Sequence, residues 1–365
     1  MKEQEFLNSI EDLSGKIAIV TGGAKGIGLE TTVYLASKGA TVYVAARKSE
    51  GTDVGIEEAR RRVRAATTKT SDDAGKSDGD EKIKHHDLDL SSMKTAWQSA
   101  QAFKKLEQKL DVLICNAGVS MTTLQKLSPD GYETMFAVNH LGHFAFVAAL
   151  LDIIKNTADT TQDGRIIFTI SDAYKQAKKL DYEKLKTSKP EDGKTLKDIG
   201  DAWMRYADSK LAIVYSTIEL SNRLRNADIA NIYLNACHPG NAINTTLGTG
   251  HQTAVNPTME RAVRGFLNLL IGNSTQDSAK TQVYLAGNKS IKEKGVHGEN
   301  WEPEFSMFGS TYKGCAWKEY TQLGRDEEER KKLWNVTVDA LRKAVGEEEI
   351  QSVETLKKLL NAGSE

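Results

Sequence analysis

Short apolar runs alternate with stretches of helical periodicity along most of this chain. KIAIV (16–20) reads as a strand, followed by a glycine-rich turn and the helical stretch LETTVYLASKG. ATVYVAA (40–46) is β-rich, and GIEEARRRVRAAT returns to helical spacing. A polar, acidic stretch, SDDAGKSDGDEK, reads as a solvated loop. IKHHDLDL, a helix and the strand DVLICNAG come next, then another helix and the strands RIIFTIS (165–171) and IANIYLNACHPG. Strands that are apolar throughout are buried on both faces. Their alternation with helices predicts a doubly wound α/β fold around a parallel sheet. Two segments exceed a minimal version of it. Residues 172–202 are Lys- and Asp-rich and read as an irregular or partly helical insertion. Residues 325–361 read as two charged amphipathic helices, with Leu333, Val336, Ala340 and Leu341 as the apolar stripe of the first.

A length of 365 residues allows one large domain or two small ones. The net charge of −1 excludes the single-sign field expected of a nucleic-acid or anionic-membrane binder. The charged opening MKEQEFLNSIEDLSGK holds no signal-peptide block, and FAFVAALLDII is too short to span a bilayer. The expectation is therefore a cytoplasmic protein with no integral span. Cys115, Cys237 and Cys315 are far apart and read as reduced thiols. His140 and His143 resemble half of a metal site but have no third ligand nearby, so they read as packing residues with no metal.

VTGGAKGIGLE places Gly22, Gly26 and Gly28 between the first strand and a helix. Glycines let a backbone approach a pyrophosphate closely, and a helix N-terminus offers it free N–H groups. About twenty residues on, an NAD site carries an acid for the ribose hydroxyls. Here Ala45 and Ala46 occupy that place and Arg47 follows, while Lys25 sits inside the turn. Two cations and a missing acid predict a 2′-phosphate, hence NADP(H).

Thr21-Gly22-x-x-x-Gly26-x-Gly28, Asn116-Ala117-Gly118 and Tyr206-x-x-x-Lys210 together resemble the short-chain dehydrogenase/reductase family. AAR, DLDLSS, FAVNHLGHF, HPG and GRDEEERKKLW narrow the resemblance to its retinol-dehydrogenase-like branch, over roughly residues 14–342. The resemblance implies a Rossmann fold with strand order 3-2-1-4-5-6-7 and a catalytic domain over 1–342. Within it lie the 172–202 insertion and a substrate or lid region at about 241–310, with a helical tail at 343–365. It also implies Asn139, Ser171, Tyr206 and Lys210 as the catalytic group. The cofactor would meet Thr21, Gly22, Lys25, Gly26, Ile27 and Gly28 in the turn, and Arg47 after the second strand. Asp89 and Leu90 would border the adenine. Asn116, Ala117 and Gly118 would line the pocket, and Pro239 and Gly240 would pass the nicotinamide. Thr245 is placed near the carboxamide or the pyrophosphate. Family members commonly form homodimers, so a homodimer is expected unless the insertions block the usual interface.

Four tyrosines precede a lysine by four residues: Tyr34, Tyr174, Tyr182 and Tyr206. Tyr34 lies on the helix after the turn, and Tyr174 is too close to Ser171 to leave room for a substrate loop. Tyr182 is the rival, but its Lys186 runs into Pro190 and Gly193, which end a helix. Tyr206 begins a sustained helical pattern that projects both side chains on one face. A Lys cation ~4–5 Å from the phenol, at an effective dielectric of ~20, favours the phenolate by about 3–4 kcal/mol, or roughly 2–3 pKa units. Lys210 is thus expected to bring Tyr206 toward neutral pH and to hold the nicotinamide ribose. Ser171 would orient the substrate oxygen, and Asn139 would hold a relay water.

Val263, Phe266, Leu267, Leu270 and Ile271 recur at helical spacing, either as ordinary packing or as a lid over an apolar substrate. The leading expectation is a carbonyl reductase or alcohol dehydrogenase acting on a hydrophobic small molecule. A reductase or epimerase of specialised metabolism and a non-catalytic dinucleotide-binding sensor are the alternatives.

Overall fold

The computed structural model describes residues 3–67, 79–120, 126–187, 196–240, 273–305 and 312–362. Its centre is a sheet in the order β3-β2-β1-β4-β5-β6-β7-β8. The strands are β1 (Ile17–Thr21), β2 (Thr41–Ala46), β3 (Ile83–Asp87), β4 (Val112–Cys115), β5 (Gly164–Thr169), β6 (Ile232–Cys237), β7 (Asn300–Phe305) and β8 (Tyr312–Lys318). β1 to β7 pair parallel and β8 returns antiparallel to β7. The expected order is therefore present, with one further edge strand. β8 carries Lys313, Gly314 and Lys318 and has no apolar run to announce it.

Alternate residues of each strand feed opposite faces. Ile17 and Ile19 join one core and Ala18 and Val20 the other. The second core is covered by α2 (Gly26–Ser37), α3 (Glu50–Thr67) and α7 (Thr275–Gly287), with Phe6 of the N-terminal helix α1 (Glu3–Asn8) sealing one end against Tyr34. The first core is covered by α4 (Met93–Leu106), α5 (His143–Thr161), α6 (Leu196–Asn226) and the C-terminal helices α8 (Glu327–Val345) and α9 (Glu354–Asn361). The helical run Thr134–Thr161 is long and apolar enough to cross a bilayer, longer than its sequence core suggests. It is buried between the sheet and α4, so its apolarity belongs to the core.

Three sequence boundaries shift. α6 begins at Leu196, ten residues before Tyr206, so residues 196–202 of the insertion are already helix. The first half forms short 3-10 turns at Asp172–Gln176 and Lys184–Lys186. The buried face of α8 is wider than the expected stripe: Trp334, Thr337 and Val338 join Leu333, Ala340 and Leu341, while Val336 is only partly buried. Residues past 343 pack into the same core through Ile350, Val353, Leu356 and Leu359.

Candidate active site

The C-terminal ends of β1, β4, β5 and β6 converge on one rim, as a doubly wound sheet requires. At the end of β1 the chain turns through Gly22 and Gly26, both at positive φ (65° and 54°), into α2. The turn is a tight cradle. A Cβ on Gly28 would lie 2.3 Å from the Gly22 carbonyl and 2.6 Å from Asn116 Nδ2, and one on Gly22 would lie 3.2 Å from Ala117. Ile27 is buried under it. Lys25 stands at the N-cap of α2 and its side chain makes no capping bond, so it takes up none of the helix's free N–H groups. An anion fits such a site.

Thr21 ties this turn to the next strand. Its Oγ1 accepts from the backbone N–H groups of Asn116 and Ala117, both at 2.9 Å, and Asn116 Nδ2 donates to the Thr21 carbonyl at 2.9 Å. His143 Nε2 lies 3.0 Å from the same Thr21 hydroxyl. His143 Nδ1 faces the carbonyls of Val138 and Asn139 at 3.1 Å, and carbonyls only accept. The proton is therefore on Nδ1, and Nε2 accepts from Thr21. Burial lowers the His143 pKa to about 4, so the ring stays neutral. His140 is also buried and bonds Thr337 of α8 at 3.0 Å. Both histidines are packing residues with partners of their own.

The proton-transfer candidates meet beyond β5. Ser171 follows the strand and caps the 3-10 turn, its Oγ accepting from Ala173 N at 3.3 Å. Tyr206 reaches toward it from α6, and the Ser171 side chain acts on the phenol in the direction that favours ionisation. Lys210, one turn on, is buried, donates to the Thr169 carbonyl at 2.9 Å, and sits 5.7 Å from the Tyr206 ring centre. Here the electrostatics differ from the sequence expectation. Burial pushes Tyr206 up to about 12, and its neighbour Ser171 offsets only part of this. Burial also pulls Lys210 down to about 8. Desolvation disfavours the charged form of both groups, and the ammonium is turned to a backbone carbonyl.

Asn139 lies in a π-helical segment, Ala137–Gly142, a departure that re-aims a side chain. Its Oδ1 accepts from Val119 N at 2.8 Å, and its Nδ2 donates to Val119 O at 2.9 Å and to Ser209 Oγ at 3.0 Å. The amide is thus engaged with protein, and it clamps the 118–119 segment beside Lys210. A Cβ on Gly118 would be 3.3 Å from Asn139 Oδ1 and 3.8 Å from Lys210 Nζ. Both amide N–H donors are engaged with protein, and Oδ1 keeps acceptor capacity for the relay water expected of this side chain.

The remaining sequence candidates divide. Asp89 accepts from Ser91 N at 2.9 Å, and Leu90 packs beneath the π-helical segment, where a Cβ on Gly142 would meet its carbonyl at 2.3 Å. Arg47 is exposed just past β2, and Lys25 Nζ would be 2.7 Å from a Cβ on Gly51 in the first turn of α3. Both cations therefore border the same corner. Pro239 leads into Gly240, which is at φ 79°. Thr245 and the apolar positions 263–271 lie outside the described residues. Tyr34, Tyr174 and Tyr182 are all core residues. Tyr34 packs on Phe6, Tyr174 on Tyr320, and Tyr182 lies under Lys332 of α8 at 5.0 Å. Sequence reasoning missed Trp203, one turn before Tyr206. Its partly exposed indole lies 5.9 Å from the Tyr206 ring and donates to Gln176 Oε1 at 3.0 Å. The indole's position one turn ahead of Tyr206 was the available signal.

This geometry can now be set beside known proteins. A family model for short chain dehydrogenase matches residues 16–181. Human retinol dehydrogenase 13 is 31% identical over 326 residues, covering 88% of this chain and 83% of its own. The chain belongs to the short-chain dehydrogenase/reductase family. Mouse retinol dehydrogenase 11, at 30% over 331 residues covering 90% of this chain and 87% of its own, places it in the retinol-dehydrogenase-like branch. An uncharacterised oxidoreductase of Schizosaccharomyces pombe is 31% identical over 299 residues, covering 80% of this chain and 78% of its own. Among solved structures, RhlG of Pseudomonas aeruginosa, determined as a complex with NADP, shares the fold with a TM-score of 0.54 at 24% identity, covering 79% of this chain and 94% of that one. The short-chain dehydrogenase/reductase assignment makes the protein an oxidoreductase acting on a small molecule.

Proposed function

We propose that this oxidoreductase uses NADP(H) to interconvert a hydrophobic carbonyl compound and its alcohol, with Tyr206 as the proton-transfer group. The observation that carries the proposal is that Tyr206, beside Ser171, has buried Lys210 one helical turn on, 5.7 Å from its ring centre.

The glycine cradle and the N-terminus of α2 fit a pyrophosphate, and Arg47 with Lys25 fit a 2′-phosphate at the corner of β2 and α3. RhlG, which shares the fold, was determined with NADP, consistent with this choice. When bound, the reduced nicotinamide supplies a hydride to the carbonyl carbon. The chain does the rest. Tyr206 is a phenol throughout the physiological range, so it holds the proton that the carbonyl oxygen takes up. Ser171 fixes the hydroxyl that donates it. Lys210 keeps a positive charge below pH about 8 beside the developing phenolate. Asn139 and Gly118 hold the wall next to that charge. Trp203, partly exposed 5.9 Å from the Tyr206 ring, offers a flat apolar surface on which an aliphatic or aromatic carbonyl compound can pack.

Consumption of NADPH with a panel of aldehydes, ketones and quinones tests this. The expected result is turnover favouring hydrophobic carbonyls. Clear preference for small hydrophilic ones would sink the substrate class, and cofactor binding without turnover of any member would favour a sensor.

A further inference from the structure

Gln282 is wholly buried on α7, far from the motifs that mark this family in sequence. Its amide spans three elements. Nε2 donates to Asn116 Oδ1 at 3.0 Å, just beyond β4, and to Thr169 Oγ1 at 2.9 Å, at the end of β5. Oε1 accepts from Thr31 Oγ1 of α2 at 2.6 Å.

The directions of these bonds are forced. The Thr21 carbonyl can only accept, so Asn116 must turn its NH2 group toward it, at 2.9 Å. Asn116 Oδ1 then faces Gln282, which must answer with its own NH2 group. That leaves Oε1 to face Thr31. Thr31 has one hydroxyl proton and two acceptors in reach, Gln282 Oε1 at 2.6 Å and the Ile27 carbonyl at 2.9 Å. The shorter contact takes it. Thr169, already an acceptor from Gln282, is free to donate to the Cys237 sulfur. Only one arrangement of amides and hydroxyls satisfies every partner.

Both ends of this chain of bonds touch the site. Asn116 Nδ2 is the atom a Cβ on Gly28 would strike at 2.6 Å, so the amide forms the floor of the glycine turn. The Thr169 carbonyl is the anchor of Lys210. We infer that Gln282 is a positioning residue for the cofactor: it locks the Asn116 amide under the phosphate-binding turn and fixes Thr169 beneath Lys210. This deepens the proposed function and rests on it. A residue that merely filled the core would contribute to stability alone, whereas a lock on the turn sets cofactor affinity as well.

Gln282→Met keeps the volume and removes the donors and the acceptor. Thr31→Val keeps Gln282 and removes the donor that orients it. For each variant the Kd for NADPH, the KM for NADPH and the KM for the carbonyl substrate are measured beside the melting temperature. Gln282→Met is expected to raise the Kd and KM for NADPH about tenfold, the scale of a buried acceptor losing its donor, with the carbonyl KM little changed. Thr31→Val is expected to do the same more weakly, and it carries the test if Gln282→Met does not fold. A lower melting temperature with unchanged NADPH affinity overturns the positioning role alone. Wild-type protein that binds neither NADPH nor NADH overturns the cofactor reading, and this inference with it.

Discussion

Tyr206 differs from the three other tyrosines with a lysine four residues on by its surroundings, not by its spacing. Its hydroxyl meets Ser171, whereas Tyr34, Tyr174 and Tyr182 spend their rings on core packing. Tyr182→Phe should leave turnover within a few-fold of wild type, and a collapse of activity there would reassign the proton donor. The pH profile belongs to Lys210. Burial holds its pKa at about 8, below the ordinary 10.5, so it is charged below about pH 8 and neutral above. Tyr206, near 12, does not titrate in that range. The rate of carbonyl reduction should therefore fall as pH rises through about 8. A rate that stays flat to pH 10 would show that the Lys210 charge is not used. Residues whose partners are near in sequence, such as the glycine turn and the Tyr206–Lys210 pair, were legible in advance. Gln282 was not, because its partners lie more than a hundred residues away.

At the scale of elements, the apolar strands and the helices between them were readable because burial on both faces leaves a continuous signal. β8 was not, since an antiparallel edge strand with two lysines and a glycine lacks that signal. The first turns of α6, residues 196–202, were hidden in a Lys- and Asp-rich stretch that carries no apolar run. The proposed choice of NADP(H) rests on the end of β2. A hydrogen bond to a charged group contributes about 1.5–3 kcal/mol, so such a contact from Arg47, with Lys25 nearby, predicts roughly tenfold to several-hundredfold preference for NADPH over NADH. Ala46→Asp with Arg47→Ala supplies the acid that ribose hydroxyls need and removes the phosphate's partner. Titration of the double variant should show the preference reversed. Retained NADPH preference would mean that the 2′-phosphate is held elsewhere.

Across the whole molecule, the C-terminal helices complete one face of the core. Arg223 of α6 donates to the Leu359 carbonyl at 3.0 Å, and Trp97 of α4 donates to Glu349 at 3.0 Å. Ile350, Val353, Leu356 and Leu359 are buried; at ~1.5–3 kcal/mol each they represent about 6–12 kcal/mol as an upper limit. That equals the whole stability of an ordinary domain. Truncation after residue 342 should leave an insoluble or strongly destabilised protein, and a truncated chain with an unchanged melting temperature would show the tail to be an accessory. The core, the cradle and the proton-transfer group serve one claim, that this family member reduces carbonyls with NADPH through Tyr206. The most direct test gives wild-type protein and Tyr206→Phe the same NADPH and the same hydrophobic carbonyl, and follows NADPH binding and consumption in both. The account predicts that both bind NADPH and only the wild type consumes it. Consumption by Tyr206→Phe at the wild-type rate would contradict it.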